Sequence, residues 1–201
     1  MDSFDSRARE WDKDKMHLER SIAIAAELVK TIPLRHSMKA LEYGAGTGIL
    51  SFLFKDRFTE ITLMDNSQEM IKVCEEKVEY HKATHIKPVW HNLENTSYTS
   101  TFDIIYNQMV LHHVNEVENI IGKFHTLLNP DGYLAIADLY TEDGSFHGPD
   151  VKVHWGFDPD KLRELLKEKG FINIEHKTCF ILKRESGIEY PIFLLVGQKG
   201  A

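Results

Sequence analysis

Apolar positions along this chain change period several times, and each change predicts an element. Leu18, Ile22, Ala25, Ala26 and Val29 recur at helical spacing until Pro33 ends the run. "MKALEY" then reads as a short buried strand that stops at a cluster of glycines, and "ILSFLFKDR" returns to the helical period. A second strand, "EITLMD", precedes "NSQEMIKVCEEKVEY", whose Met70, Ile71, Cys74 and Val78 share one helical face. Asn66, with Glu69 three residues later, fits a variant of the capping box at its start. Strands near "IKPVW" and at "FDIIYN" follow. Asn115 and Glu118 open a helix striped by Val117, Ile120, Ile121, Phe124 and Leu128, and Asn129 and Pro130 close it. A fifth strand, "GYLAIADL", gives way to "YTEDGSFHGPDVKVHWGF", a long segment without period of the kind that is usually functional or mobile. Asp158 and Pro159 suit the cap and first turn of a helix carrying Leu162, Leu165 and Leu166, with Gly170 at its end. Two last strands, "FINIEHKTCFIL" and "YPIFLLVGQ", are joined by polar "KRESGIE" as a terminal hairpin.

Seven strands alternating with helices predict an α/β fold: a mostly parallel sheet covered on both faces, with one strand turned antiparallel by the hairpin. Such sheets bind ligands beyond their strand C-termini, at a topological switch point. Residues 1–34 form a helical cap and residues 35–201 the main domain in this reading. No repeat or Gly/Ser linker divides the 201 residues further. The composition, 42% hydrophobic and 27% charged, belongs to an ordered globular chain rather than a disordered one. Without an 18-residue apolar stretch, and with "MDSFDSRAREWDKDK" at the start, neither a membrane span nor a signal peptide is expected, and the chain is placed in the cytoplasm. A net charge of −7 argues against a phosphate-binding surface, so a small molecule, and neither nucleic acid nor membrane, is the expected partner. Cys74 and Cys179 lack metal spacing and read as free thiols.

Candidate chemistry begins at "LEYGAGTGIL", where Gly44, Gly46 and Gly48 stand at alternate positions. Glycine costs conformational entropy, so three in five residues imply a ligand resting against bare backbone at the turn into the first sheet helix. Asp65 ends the second strand beside the same turn and can accept both hydroxyls of a ribose. NAD and S-adenosylmethionine sites both use this pair of features.

These stretches resemble the class I S-adenosylmethionine-dependent methyltransferases of the small, single-domain type, over roughly residues 38 to 199. "LEYGAGTG" resembles the family's glycine motif, "TLMDNSQEMI" its acidic second-strand motif, and "FDIIYNQMVLHHV" its fourth-strand motif. "LLNPDGYLAIADL" is similar to the helix-turn-strand that follows. The resemblance implies a three-layer Rossmann-like sandwich with S-adenosylmethionine as cofactor. It places Glu42 and the loop of Tyr43, Gly44, Ala45, Gly46 and Gly48 toward the methionine end. Asp65 would hold the ribose, and Asn66 or Met70 would border the adenine. Where the family often has an acidic residue after the third strand, "WHNLEN" supplies Asn92, beside Leu93, whose amide oxygen would accept from the adenine amino group. Asn107 and Gln108 would lie toward the sulfonium. "FDSRAREWD" is similar to a lid helix, with Trp11 as a pocket wall.

Methyl transfer from a sulfonium needs placement more than acid-base machinery, yet a hydroxyl or amine acceptor gains from a base, the usual province of histidine. The long loop after the fifth strand carries His147 and His154, the expected bases, and Tyr140, Glu142 and Trp155, which with Asp138 just before them are the expected substrate-side residues. His112 and His113 follow the fourth strand and are expected to pack under the site, with substrate contact, through His112, as the alternative. No HxxxH or HxH spacing suggests a metal site, and none is expected. Two other readings stand beside methyl transfer to an unidentified small molecule. One is a non-catalytic S-adenosylmethionine-binding module. The other, an NAD-dependent oxidoreductase, is disfavoured because the glycines run GxGxG rather than GxGxxG.

Overall fold

The strands are β1 (Lys39–Tyr43), β2 (Glu60–Asp65), β3 (Ile86–Trp90), β4 (Phe102–Gln108), β5 (Leu128–Leu139), β6 (Phe171–Lys183) and β7 (Glu189–Lys199). In the computed structural model, which describes residues 4–148, 151–184 and 186–200, they form one sheet in the order β3-β2-β1-β4-β5-β7-β6. β7 runs antiparallel to both of its neighbours, and the other six strands share one direction. The central strands are apolar on both faces because helices cover both faces: Ala40 and Leu41 of β1 and Ile61, Leu63 and Met64 of β2 are fully buried.

Helices α1 (Lys15–Thr31), α2 (Ile49–Leu53) and α3 (Gln68–His81) put Ile24, Leu28, Leu50 and Cys74 into the core on one face. Helices α4 (Val117–Leu127) and α5 (Pro159–Glu168) put Ile120, Ile121, Phe124, Leu162 and Leu166 against the other. The result is a three-layer Rossmann-like sandwich. α1 packs in one of those layers, while the 3-10 segment Asp5–Lys13 and the first turns of α1, with Met16, His17 and Arg20, border the cavity at the strand ends. No described helix is long and apolar enough to cross a membrane.

Local signals set most boundaries, and tertiary packing moved a few. α2 stops at Leu53 instead of reaching Arg57, because Phe54 and Phe58 both turn into the core and the chain closes tight turns there. α3 is capped by Ser67, whose Oγ accepts from the Met70 N–H at 3.1 Å, and not by Asn66. α4 begins at Val117 with Glu116 at its cap position and no side-chain cap, and the Asn115 N–H donates to Glu94 Oε2 at 3.2 Å. Asn129 and Pro130 lie within the irregular start of β5, where Asn129 Nδ2 donates to Asp103 across the sheet. Asp158 and Pro159 cap α5 as their spacing predicts, with the Asp158 side chain accepting from the Asp160 N–H.

Candidate active site

The C-terminal ends of β1, β2, β3 and β4 open on one cavity of about 920 Å³. At one end lies the glycine turn. All three of its glycines have positive φ, between 54° and 76°, but for different packing reasons. A Cβ at Gly44 would stand 2.5 Å from the Val110 methyls, and one at Gly48 2.9 Å from Leu63 Cδ1. Above Gly46 the nearest atom is Trp11 Nε1, 3.9 Å away, so this glycine faces open space in the cavity wall. The Gly46 N–H donates to Asp65 Oδ2 at 2.7 Å, and the Ser67 N–H donates to Oδ1 at 2.8 Å. Backbone turn and carboxylate therefore share one hollow.

Tyr43, Gly44, Ala45, Asn66, Met70, Asn92 and Leu93 line the same end. Asn92 differs from expectation in its polarity. Its Oδ1 accepts from the N–H groups of Glu94 and Asn95, at 3.0 and 3.3 Å, so the amide oxygen is committed to its own turn. Trp11 lines the cavity, stacked on His17 with ring centroids 4.3 Å apart. The 3-10 segment is tied down around it. Asp12 accepts from Thr47 Oγ1 and pairs with Lys77, Arg9 pairs with Glu76, and Asp5 accepts from Ser67 Oγ.

The other end is lined by Gln108, His112, His113 and His147. Gln108 Oε1 accepts from Ser21 Oγ at 3.1 Å. His112 is 1% exposed, and its Nδ1 lies 2.6 Å from Oδ1 of the fully buried Asp138. Its Nε2 lies 3.0 Å from Nε2 of His147, so Asp138, His112 and His147 form a chain from the end of β5 to the cavity. Burial, followed by the neighbouring His112, pushes His147 down to about 4 and His113 down to about 3. Both rings are therefore neutral at pH 7.

Six residues expected at the site lie outside the cavity wall. Glu42 is fully buried behind the glycine turn, with Oε2 accepting from the Ser51 N–H at 3.1 Å and Oε1 without a partner; burial pushes its carboxyl up to about 8. Gly48 serves the packing of α2 against Leu63. Asn107 points into the protein interior with neither amide atom hydrogen-bonded. Tyr140 bonds Thr178 and packs edge-on to Phe193. His154 Nε2 is held on the Val114 carbonyl at 3.0 Å, outside the lining. Trp155 is 53% exposed and covers Gly144.

Sequence reasoning missed Arg20, which lines the cavity at only 6% exposure with its Nε lacking a partner. The signal was present: Arg20, Ile24 and Leu28 sit four apart, which places a guanidinium on the buried stripe of α1. Burial lowers Arg20 to about 10, leaving it charged at neutral pH. Met109, at the end of β4, also lines the cavity and holds φ at 55°, a strained backbone for a non-glycine residue.

Residues 16–186 match a family model described as a methyltransferase domain. An uncharacterised methyltransferase of Schizosaccharomyces pombe is 28% identical over 158 residues, covering 70% of this chain and 56% of that protein. The chain thus spans little more than half of that relative's length. Among solved structures, a chain of the complex between the Haloferax volcanii Trm112 methyltransferase activator and a methyltransferase superposes with a TM-score of 0.81 at 14% identity, covering 100% of this chain and 99% of that one. Phosphoethanolamine N-methyltransferase 2 of Haemonchus contortus, crystallised with S-adenosyl-L-methionine, gives a TM-score of 0.71 at 14% identity over 91% of this chain and 53% of that one.

Proposed function

The chain belongs to the methyltransferase domain family, and on that premise we propose that it moves a methyl group from S-adenosylmethionine to a small-molecule acceptor. One observation carries the reading. A single cavity has the bare backbone of Gly46 against the Asp65 carboxylate at one end and neutral imidazoles at the other. The first end suits a ribose and a cationic sulfur nucleoside; the second suits the nucleophile that takes the methyl group. The donor-bound structure of Haemonchus contortus phosphoethanolamine N-methyltransferase 2, which shares this fold, supports the choice of donor.

The chemistry asks little of the protein beyond placement. The acceptor's lone pair attacks the methyl carbon in line, and the carbon–sulfur bond breaks with its electron pair going to a neutral sulfide. Holding the two partners in line is worth about 7–11 kcal/mol of avoided entropy and reorganisation. Trp11 and the tied 3-10 segment stand over the donor end and would limit the access of water to a bound donor. His147 is the catalytic residue of this proposal: it faces the acceptor, neutral at pH 7 and steadied through His112 by Asp138. His154 has no part in it.

Calorimetry with S-adenosylmethionine, S-adenosylhomocysteine and NAD tests the donor, and a screen of metabolite pools for S-adenosylhomocysteine formation finds the acceptor. Binding of the two sulfur nucleosides without NAD is expected; binding of NAD alone would overturn the assignment.

A further inference from the structure

The imidazoles at the acceptor end cluster closely enough to hold one metal ion after small movements of their rings. His112, His113 and His147 each bring one ring nitrogen within 4.8 Å of the other two, and all three line the cavity. The Nε2 atoms of His112 and His147 stand 3.0 Å apart. Two imidazole nitrogens on one tetrahedral ion, at about 2.0–2.1 Å each, are held about 3.4 Å from one another. That pair is therefore close to chelating distance already. His113 lies on the same 3-10 turn, Leu111–His113, with its ring centroid 4.2 Å from that of His112, so that a rotation of its ring would bring it to the pair.

A second observation is independent of that spacing. Asp138 is fully buried, and it accepts from the Leu139 N–H at 2.8 Å and the His112 N–H at 3.2 Å while lying 2.6 Å from His112 Nδ1. The carboxylate is thus locked in place, and it fixes the proton of His112 on Nδ1. Nε2 of His112 is left facing His147 and the cavity. A carboxylate behind a histidine is the arrangement that orients metal-bound imidazoles and raises their basicity.

We propose that His112, His113 and His147 form a three-histidine site for a divalent transition-metal ion such as zinc, with Asp138 as its positioning residue and the fourth ligand position open to the acceptor. Three neutral nitrogen donors suit zinc, nickel, cobalt, copper or iron better than magnesium or calcium. Binding uses Nε2 of His112 and one ring nitrogen each of His113 and His147, and any proton that a ligating nitrogen carries is released to water. The chemical consequence rests on the methyl-transfer reading. An acceptor oxygen or nitrogen bound at the fourth position loses its proton to water more readily, and its remaining lone pair attacks the methyl group. His147 then acts on the acceptor through the ion.

The test uses the full chain after chelator treatment and dialysis, titrated with Co²⁺ as a spectroscopic probe and then with Zn²⁺ in competition. One Co²⁺ per chain with the intense visible bands of tetrahedral coordination, displaced by one Zn²⁺, is expected. His113→Ala and His147→Ala should each weaken binding at least about tenfold, and Asp138→Asn about 10–100-fold. His36→Ala, at an exposed histidine away from the cavity, should change nothing. Circular dichroism and S-adenosylhomocysteine binding show that each variant is folded. Absence of a cobalt spectrum, or equal affinity in the His36, His113 and His147 variants, would overturn the site. An intact cobalt spectrum with no affinity for S-adenosylhomocysteine would instead overturn the methyl-transfer reading and leave the metal site standing.

Discussion

Replacing Asp65 by alanine separates the backbone contacts of that carboxylate from the ribose contact proposed for it. In the structure it accepts the Gly46 N–H at 2.7 Å and the Ser67 N–H at 2.8 Å, tying the glycine turn to the start of α3. A carboxylate oxygen accepts more than one hydrogen bond, so a ribose diol can share the same two atoms. Hydrogen bonds to a charged group contribute about 1.5–3 kcal/mol each, and the half-exposed position lets water replace part of what is lost. Asp65→Ala should therefore weaken S-adenosylmethionine and S-adenosylhomocysteine by about 2–3 kcal/mol, roughly 30–150-fold in Kd. The loss of two backbone acceptors should also lower stability by about 1–3 kcal/mol. Asp65→Asn keeps one acceptor oxygen and turns a donor toward the other N–H, so it should fall between wild type and alanine in affinity. Calorimetry with S-adenosylhomocysteine, the stable product, gives the affinities, and urea melts give the stabilities. An alanine variant that melts lower yet binds the nucleoside within threefold of wild type would refute the reasoning, because the carboxylate would then serve the turn alone.

Two further predictions rest on the same region. Gly46→Ala meets no atom closer than 3.9 Å, so the chain should fold with only the cost of a positive φ, about 1–2 kcal/mol, while donor affinity falls at least tenfold; Gly44→Ala, whose Cβ would press on Val110 at 2.5 Å, should lose stability first, as thermal melts would show. If Gly46→Ala binds S-adenosylhomocysteine like wild type, the hollow above residue 46 is not the donor's seat. Glu42 has its carboxyl raised by burial to about 8, so the folded chain holds that proton where the unfolded chain has lost it. The resulting stability is complete below the unfolded value near 4.5 and disappears as pH rises through about 8, by up to about 5 kcal/mol. Urea midpoints between pH 5 and 9 should fall in the wild type and stay flatter in Glu42→Gln; equal slopes would show that Glu42 ionises normally.

Periodicity in the chain was enough to locate all seven strands, the antiparallel ending and the glycine turn beside Asp65. Apolar alternation, bare backbone and a strand-end carboxylate are local properties, legible residue by residue. Ser67 took the α3 cap from Asn66, and Asn92 turned its amide oxygen to its own loop, because short hydrogen bonds compete within a few residues in ways a motif does not record. Glu42 matched its motif yet points into the interior, since strand-face alternation and the bulk of α2 decide where a side chain goes. The acceptor end was least legible. His112 meets Asp138 across 26 positions and His147 across 35, and His147 comes from a loop with no period to predict its path. The amino-acid order by itself determined the glycine turn after β1 and the carboxylate at the end of β2, because each is a local feature of a strand end. Only the packing of β4 against β5, with the following loop folded back over both, decided that three histidines would share one cavity wall; contacts between distant segments depend on how whole layers close on each other.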